Sequence, residues 1–365
     1  MFKKLALCGV MILGLLSSFN MPNAHAETTV TYAIDPKYIL AEPFSEGLAA
    51  VYGTGGWGFV DKNGKEIIKL SYTGAKSFSE GLAPVNVAEW GKGDKWGYID
   101  QTGKIVIQPK YSIAKPFVGG YAVVYSKDRK AGVINKQGKV VINLKYDNIK
   151  LYDGIAITDI RPTKEQGYSQ ALDMTGKALF KYPSIGIFKE GLGVYATYSK
   201  RTPRYGFIDK TGKIVIKAKY EQILAFSEGL APVKQNDKWG FIDKQGKVII
   251  KPQYYDALPF SEGLAAVNGT GGWGFIDKNG KKVVKPKYYS VKAFSDGLAA
   301  VELSNRKWGF IDKTGKMVID AQFFNVTETN NLNDTGAFRE GLSAVFVSNK
   351  DNKRWGYILN PLNKP

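Results

Sequence analysis

The chain has 365 residues, a formal net charge of +18, one cysteine and one histidine. Cys8 and His25 both fall within the first 26 residues, so a protein starting at Glu27 contains neither. That removes disulfides, thiolate nucleophiles, histidine general bases and the usual zinc, copper and haem sites in one step.

The chain opens with Lys3 and Lys4, an apolar run from Leu5 to Leu16, and the small-residue ending Ala24-His25-Ala26. This is the order of a secretory signal peptide, with cleavage expected after Ala26. Cys8 follows Leu7 rather than a small residue, so lipid attachment there is not expected. No other segment approaches the roughly 18 to 20 apolar residues of a membrane helix. The predicted location is secreted or at the cell surface, with no integral membrane segment after cleavage. Losing two lysines and no acid lowers the charge from +18 to +16, which favours anionic partners.

From residue 27 onward one unit recurs. FSEGLAAV at Phe44 returns at Phe78, Phe226, Phe260 and Phe294, with looser copies at Phe117, Tyr152, Phe188 and Phe338, nine in all. Each copy is followed by a phrase like WGFID, a K-x-G-K turn, and an apolar stretch ending in a tyrosine. Trp57, Trp96, Trp239, Trp273, Trp308 and Trp355 hold the tryptophan slot, while Ala131, Ser169 and Tyr205 replace it. The period is mostly 34 to 39 residues.

GLAAV and WGFID alternate apolar and aromatic residues, and KVIIKPQY is β-branched, so all three read as strands. Asp61-Lys62-Asn63-Gly64 and its counterparts have turn chemistry, with glycine where a positive φ is needed, and predict an antiparallel hairpin. The WG glycine and the turn glycine lie six residues apart in all eight copies that have the turn, with Gln170 taking the slot in the fourth. The tyrosine-to-phenylalanine spacing is also six, as in Tyr38 to Phe44, until an insertion separates Phe323 from Phe338. Between GLA and WG the length varies: NGTGG at Asn268, KQNDK at Lys234, NVAEWGKGD at Asn86, YSKRTPR at Tyr198. A loop that varies on a fixed frame is where specificity usually lives.

The predicted fold is all-β, with tandem antiparallel β-meander repeats of about 35 residues. A buried tryptophan removes on the order of 150 to 250 Å² from water, about 4 to 6 kcal/mol at the upper end, so the repeated indole is expected to be a main source of cohesion. One unit cannot bury its own faces, so copies must stack. A propeller-like closed ring and an open β-repeat superhelix both satisfy this. VTYAIDPKY at the start reads as the last strand of a unit, and RWGYILN near the end lacks that strand. The two complete one another, which favours the ring.

KWGFIDKTGK at Lys307, KWGFIDKQGK at Lys238 and KWGYIDQTGK at Lys95 resemble the WG-repeat, or KWG-repeat, family of bacterial exported and surface proteins. The resemblance spans nearly all of the chain beyond the signal, and the copies at 117 to 182 depart most from its pattern. It implies a binding or surface role and names no ligand.

The repeat tryptophans are read as core rather than sugar platforms. Trp90 stands outside the pattern, in a variable loop, and is a candidate for stacking on a partner. The repeated acids, such as Glu46 and Asp61, are read as turn caps and partners of the turn lysines. Catalysis by paired carboxylates needs one distinct pair, not a copy in every unit. No catalytic, cofactor or metal residue is assigned. The basic residues Lys127, Arg129, Lys130, Arg161, Lys164, Lys200, Arg201, Arg204, Arg306, Lys307, Lys350, Lys353 and Arg354 fall in or beside the variable loops. With regularly related units these loops emerge on one side and form a positive face. The function read from this pattern is an exported binding or scaffold protein for an anionic cell-wall polymer, polysaccharide or protein, with no nucleic acid expected. A self-assembling envelope protein and a carbohydrate-active enzyme are the alternatives, and no unique constellation of residues supports the enzyme.

Overall fold

The computed structural model describes residues 30–89, 92–161, 167–199, 202–324, 337–348 and 353–362. The predicted signal peptide lies outside them. Every regular element in the described residues is a β-strand. Eight antiparallel four-stranded sheets follow one another, each with its strands in sequence order. In blade 1 they are Leu40–Ala41, Ala49–Gly53, Gly56–Val60 and Glu66–Tyr72. The ninth blade takes Leu342–Ser348 and Lys353–Leu359 from the end of the chain and Tyr32–Tyr38 from its start. Tyr38 pairs with Trp355 there as Tyr72 pairs with Trp57 in blade 1, so the N-terminal strand stands in the register of an ordinary fourth strand. The architecture is a nine-bladed β-propeller, and of the two arrangements read from the sequence the closed ring is the one adopted.

Each predicted hairpin turn is present. The Asp61 carboxylate accepts hydrogen bonds from the Asn63 and Lys65 N–H groups at 2.9 Å, and Gly64 has φ +78°. The Asp-x-x-Gly string is therefore a side-chain-capped turn.

The glycine of the WG slot answers to a different constraint. A Cβ on Gly309 would stand 2.6 Å from the Ile319 carbonyl oxygen, inside van der Waals contact with the fourth strand. The ladder slips at this point, since Trp308 pairs with Phe323 but Phe310 pairs with Ile319, and the extra residues bulge the fourth strand over the glycine. Blade 4 is the control. Gln170 occupies its slot, the ladder runs without a slip from Ser169↔Tyr182 through Ala171↔Phe180, and the fourth strand has 5 residues instead of 7.

A short first strand packs on the third strand of the preceding blade, and a second strand on the preceding fourth. Sheets radiating from one axis crowd at the inner edge, so the first strands, two residues long in blade 1, stand there and the longer, alternately exposed fourth strands, such as Glu66–Tyr72, form the rim. Between blades the phenylalanine of each FSEG phrase inserts against the aromatic residue after the WG glycine of the blade before. Seven such pairs have ring centroids 4.6 to 5.0 Å apart, from Phe44 on Tyr357 to Phe338 on Phe310. Val133 and Ala171 take the aromatic position at the two seams flanking blade 4, and Tyr182 on Tyr195, 4.9 Å between centroids, fills part of the second. The tryptophans are less central than the sequence implies. Trp239, Trp308 and Trp355 are buried, but Trp57, Trp96 and Trp273 are half-buried, while Phe44, Phe59, Phe78, Phe117, Phe207 and Phe226 are sealed from solvent. An indole at the start of the third strand lies near the end of its blade, whereas the phenylalanines lie mid-seam.

The acid of FSEG is unusual in its backbone. Glu46, Glu80, Glu190, Glu228, Glu262, Glu340, Asp153 and Asp296 all have φ between +47° and +56°. A left-handed non-glycine residue costs on the order of 1 to 3 kcal/mol. What offsets that cost is visible across the seam. The Glu46 carboxylate accepts the Gly81 N–H of the next blade at 2.9 Å, Glu80 accepts Gly120 at 2.9 Å, and Glu340 accepts Gly47 at 3.0 Å to close the ring. A turn lysine of the next blade joins it: Lys62 on Glu340, Lys136 on Glu80 and Lys244 on Glu190, each at 3.2 Å. The repeated acids thus are the turn caps and lysine partners expected of them. Blade 3 has Gly119 at this position, at φ +61°, and supplies no carboxylate to its neighbour.

Two outcomes follow. Gly309→Ala is expected to cost about 1 to 3 kcal/mol in denaturant unfolding, and Gln170→Gly less than about 1, because only the first residue lies under a bulge. Burial works against ionisation of Glu80 and Glu190, but for Glu80 the Gly120 N–H, the Lys136 ammonium and the Gly119 N–H outweigh it, and for Glu190 the Lys244 ammonium and the Gly229 and Glu228 N–H groups do the same. Both carboxyls are held below their usual range. Depressed carboxyls stabilise above their unfolded pKa and lose that contribution as pH falls through the folded one. The melting temperature is therefore expected to drop as pH falls below about 4, with a shallower drop in the Glu80→Gln/Glu190→Gln variant.

Candidate binding face

Lys62 of a third-to-fourth turn reaches Glu340 of a first-to-second turn, so these two turn types share one face of the ring. Antiparallel strands then place the variable second-to-third loops, together with the links between blades, on the other. Lys130 in a variable loop pairs with Asp147 in a link, and the Glu221 link carboxylate accepts the Asn236 and Asp237 N–H groups of another variable loop at 2.9 and 3.1 Å. Among the described residues, the variable loops of blades 1, 3, 6, 7 and 8 follow second strands that all run toward this side.

The charge on that face is unevenly spread. Blades 1 and 7 turn through Thr54-Gly55 and Thr270-Gly271, and blade 6 through Asn236-Asp237, none of which brings a cation. Lys127, Arg129 and Lys130 are exposed on blade 3, and Arg161 is exposed on blade 4. The Asp147 carboxyl in the link between them is held below its usual range first by its hydrogen bond to Lys130 and, more weakly, by Arg161. Arg306 is exposed on blade 8, and Lys353 on blade 9. Arg204 and Arg354 are half-buried and turn a guanidinium N–H back onto the carbonyls of Pro203 and Lys353, at 3.1 and 2.9 Å. The structure thus gathers two cationic arcs, at blades 3–4 and 8–9. Trp90, Lys164, Lys200, Arg201 and Lys350 lie outside the described residues.

Arg129 and Arg306 occupy equivalent strained positions. In both loops the first residue's N–H bonds the fifth carbonyl and the fourth N–H bonds the first carbonyl: Ser126 with Lys130 and Arg129, Leu303 with Lys307 and Arg306. The Asp61 to Lys65 turn has the same pattern and places Gly64 fourth. Where the frame uses glycine, these two loops put arginine, at φ +58° and +59°.

Sequence reasoning missed a set of aromatics. Tyr254-Tyr255, Tyr288-Tyr289 and Phe323-Phe324 are doublets whose first ring is core and whose second is in a link. Tyr255, Tyr289 and Phe324 are 57, 66 and 52 % exposed, on three consecutive links of the variable face. The Lys238 ammonium lies 3.6 Å from the Tyr255 ring centroid and that of Lys307 3.0 Å from Phe324. The doublets were visible in the sequence; that the second ring stands in water follows from strand alternation at the end of the fourth strand. Among the described residues no group of three or more His, Cys, Asp or Glu is placed to hold a metal ion.

Comparison with solved structures finds a eukaryotic initiation factor at a TM-score of 0.53 and 12% identity, over 78% of this chain and 87% of that one. The C-terminal WD40 domain of Sif2 aligns at 0.42 and 9% identity, over 91% and 98% of the two chains. BamB from Moraxella catarrhalis aligns at 0.38 and 11%, over 91% and 94%. At such identities the likeness to the initiation factor bears on the fold alone. A search of curated proteins found no match. The family model described as WG containing repeat matches residues 31–52, 57–88, 96–129, 132–158, 205–239, 239–268, 273–306 and 308–330. A matched unit such as 57–88 takes the last two strands of one blade and the first two of the next, so it straddles a seam. With its motif matched through well over half the length, the chain belongs to the family of proteins built from WG-containing repeats.

Proposed function

We propose that this protein is a non-catalytic, exported binding module that engages an anionic polymer, an acidic polysaccharide foremost, through the variable-loop face. Export rests on the Lys3-Lys4 start, the apolar run and the Ala24-His25-Ala26 ending. Binding rests above all on Arg129 and Arg306. The fourth place of a five-residue turn, which is glycine in the third-to-fourth turns, holds an exposed arginine in two variable loops, at a backbone cost of on the order of 1 kcal/mol or more. Backbone strain of this kind clusters at functional sites. The solvent-facing rings of Tyr255, Tyr289 and Phe324 beside lysines add a surface on which the apolar face of a sugar ring stacks. Repeated weak contacts around a ring gain by multivalency when the ligand is itself a repeating polymer.

Retention of the purified protein on envelope polysaccharide is expected to fall steeply from low salt to about 1 M, where the Debye length is about 3 Å. The Arg129→Gly/Arg306→Gly variant is expected to bind more weakly with a melting temperature unchanged or raised. Retention indifferent to salt, or a variant that melts lower and binds as before, contradicts this reading.

A further inference from the structure

The residue two places before the seam aromatic stands at the inner edge of the ring; in blades 2, 3 and 8 it directly follows the two-residue first strand, and in blade 4 it opens the first strand, Lys150–Tyr152. It is lysine in blades 2, 3, 4 and 8 (Lys76, Lys115, Lys150 and Lys292), Glu42 in blade 1, and leucine in blades 6 and 7. The ammonium of Lys76 lies 5.7 Å from the Trp96 ring centroid, that of Lys115 5.9 Å from Tyr125, and that of Lys292 5.8 Å from Trp308. An aromatic face holds a cation in place without neutralising it.

These lysines differ from those on the opposite face. Lys62, Lys136, Lys210, Lys244, Lys278 and Lys313 each pair with the acid of the preceding blade within 3.2 Å. None of the four inner lysines makes an ion pair among the described residues. Lys76 and Lys115 are half-buried, and Lys150 is exposed. Burial and then the Lys115 charge push the Lys76 amine below its usual range, against a smaller opposing effect of Glu42; burial and then the Lys150 charge do the same to Lys115. Lys76, Lys115 and Lys150 thus stand two residues before the seam aromatic of three consecutive blades. Lys292 stands apart: burial pushes its amine below its usual range too, but Glu302 partly opposes this and no neighbouring lysine adds to it.

We propose that Lys76, Lys115 and Lys150 form a binding site, at the inner edge of blades 2 to 4, for a small, multiply charged anion of the phosphate class. Half-buried like charges such as Lys76 and Lys115 side by side cost stability, which Glu42 offsets only in part; a dense polyanion offsets the rest. The arc offers ammonium groups only, which meet phosphate oxygens as point charges, and several of them together suit an anion that carries more than one charge. The site is built from different residues than the loop tips and stands or falls independently of the polymer reading.

The test is the thermal melt of the purified protein with tripolyphosphate, against sodium chloride at equal ionic strength. A saturable rise in melting temperature is expected, since a ligand of the folded state stabilises by mass action. Lys76→Gln/Lys115→Gln is expected to melt at or above the natural protein without ligand and to lose the rise. Lys127→Gln/Arg129→Gln at the loop tips is expected to keep it. Lys150→Gln, an exposed change that disturbs no packing, is expected to weaken tripolyphosphate about tenfold, the loss of one charge-assisted contact. No saturable rise in the natural protein, a rise that survives removal of Lys76 and Lys115, or one abolished by the loop-tip variant overturns the proposal.

Discussion

One contact sets the terms for the rest of the molecule: an aromatic ring carried on a tight turn of one blade, sealed against the ring that follows the WG glycine of the blade before. A single four-stranded sheet of this size buries neither of its faces, and the seam is where each blade finds the partner it lacks. The glycine belongs to the same contact, because the bulged fourth strand leaves no room for a Cβ beside it. Motif and seam are thus one object, which is why the family's repeating unit straddles two blades. Around blade 4 the dependence is seen in reverse. Glycine, bulge and aromatic partner are lost together there, and a tyrosine pair from other positions fills part of the gap.

From the seam follows the difference between the two faces. The turns that carry the phenylalanines also carry the acids, and these reach the glycine N–H and the lysine of neighbouring blades, so the polar groups of that face are largely spent on holding the ring. Individually such part-exposed pairs are worth little; their value lies in the backbone N–H groups they satisfy at each seam. The opposite face carries no such duty. Its loops vary in length, its charges are unequally placed, and its second aromatics stand in water. Rigidity on one side and variety on the other is the usual division of labour of a binding scaffold.

Much of this was legible in the chain. The period, the Asp-x-x-Gly turns and the alternation in GLAAV and WGFID specify strands and hairpins locally, and the orphan strand at Tyr32–Tyr38 shows how the ring closes. Gln170 was placeable by spacing alone, although the loss of its bulge was not. What stayed hidden depends on neighbours far off in sequence. The recurrence of the FSEG acid reads as a turn signal until the next blade supplies the N–H that explains a left-handed glutamate. Tryptophan draws the eye by size, yet burial depends on distance from the seam centre, and phenylalanine holds that place. Lys76, Lys115 and Lys150 are separated by 39 and 35 residues and meet only once the sheets fan around an axis. No local pattern distinguishes them from the many lysines of a basic chain.

The claim that cohesion runs unbroken around the ring is tested most directly by comparing two equivalent truncations. Phe44 belongs to the first FSEG phrase and packs on Tyr357 only because the ends of the chain meet; Phe260 packs on Phe241 in the middle of the array. In a closed ring there is no terminal seam, so denaturant unfolding of Phe44→Ala and Phe260→Ala should show similar losses, each about 3 to 5 kcal/mol. A Phe44→Ala protein nearly as stable as the natural one, beside a severely weakened Phe260→Ala, would mean that the first blade has no neighbour behind it and that the ring is open.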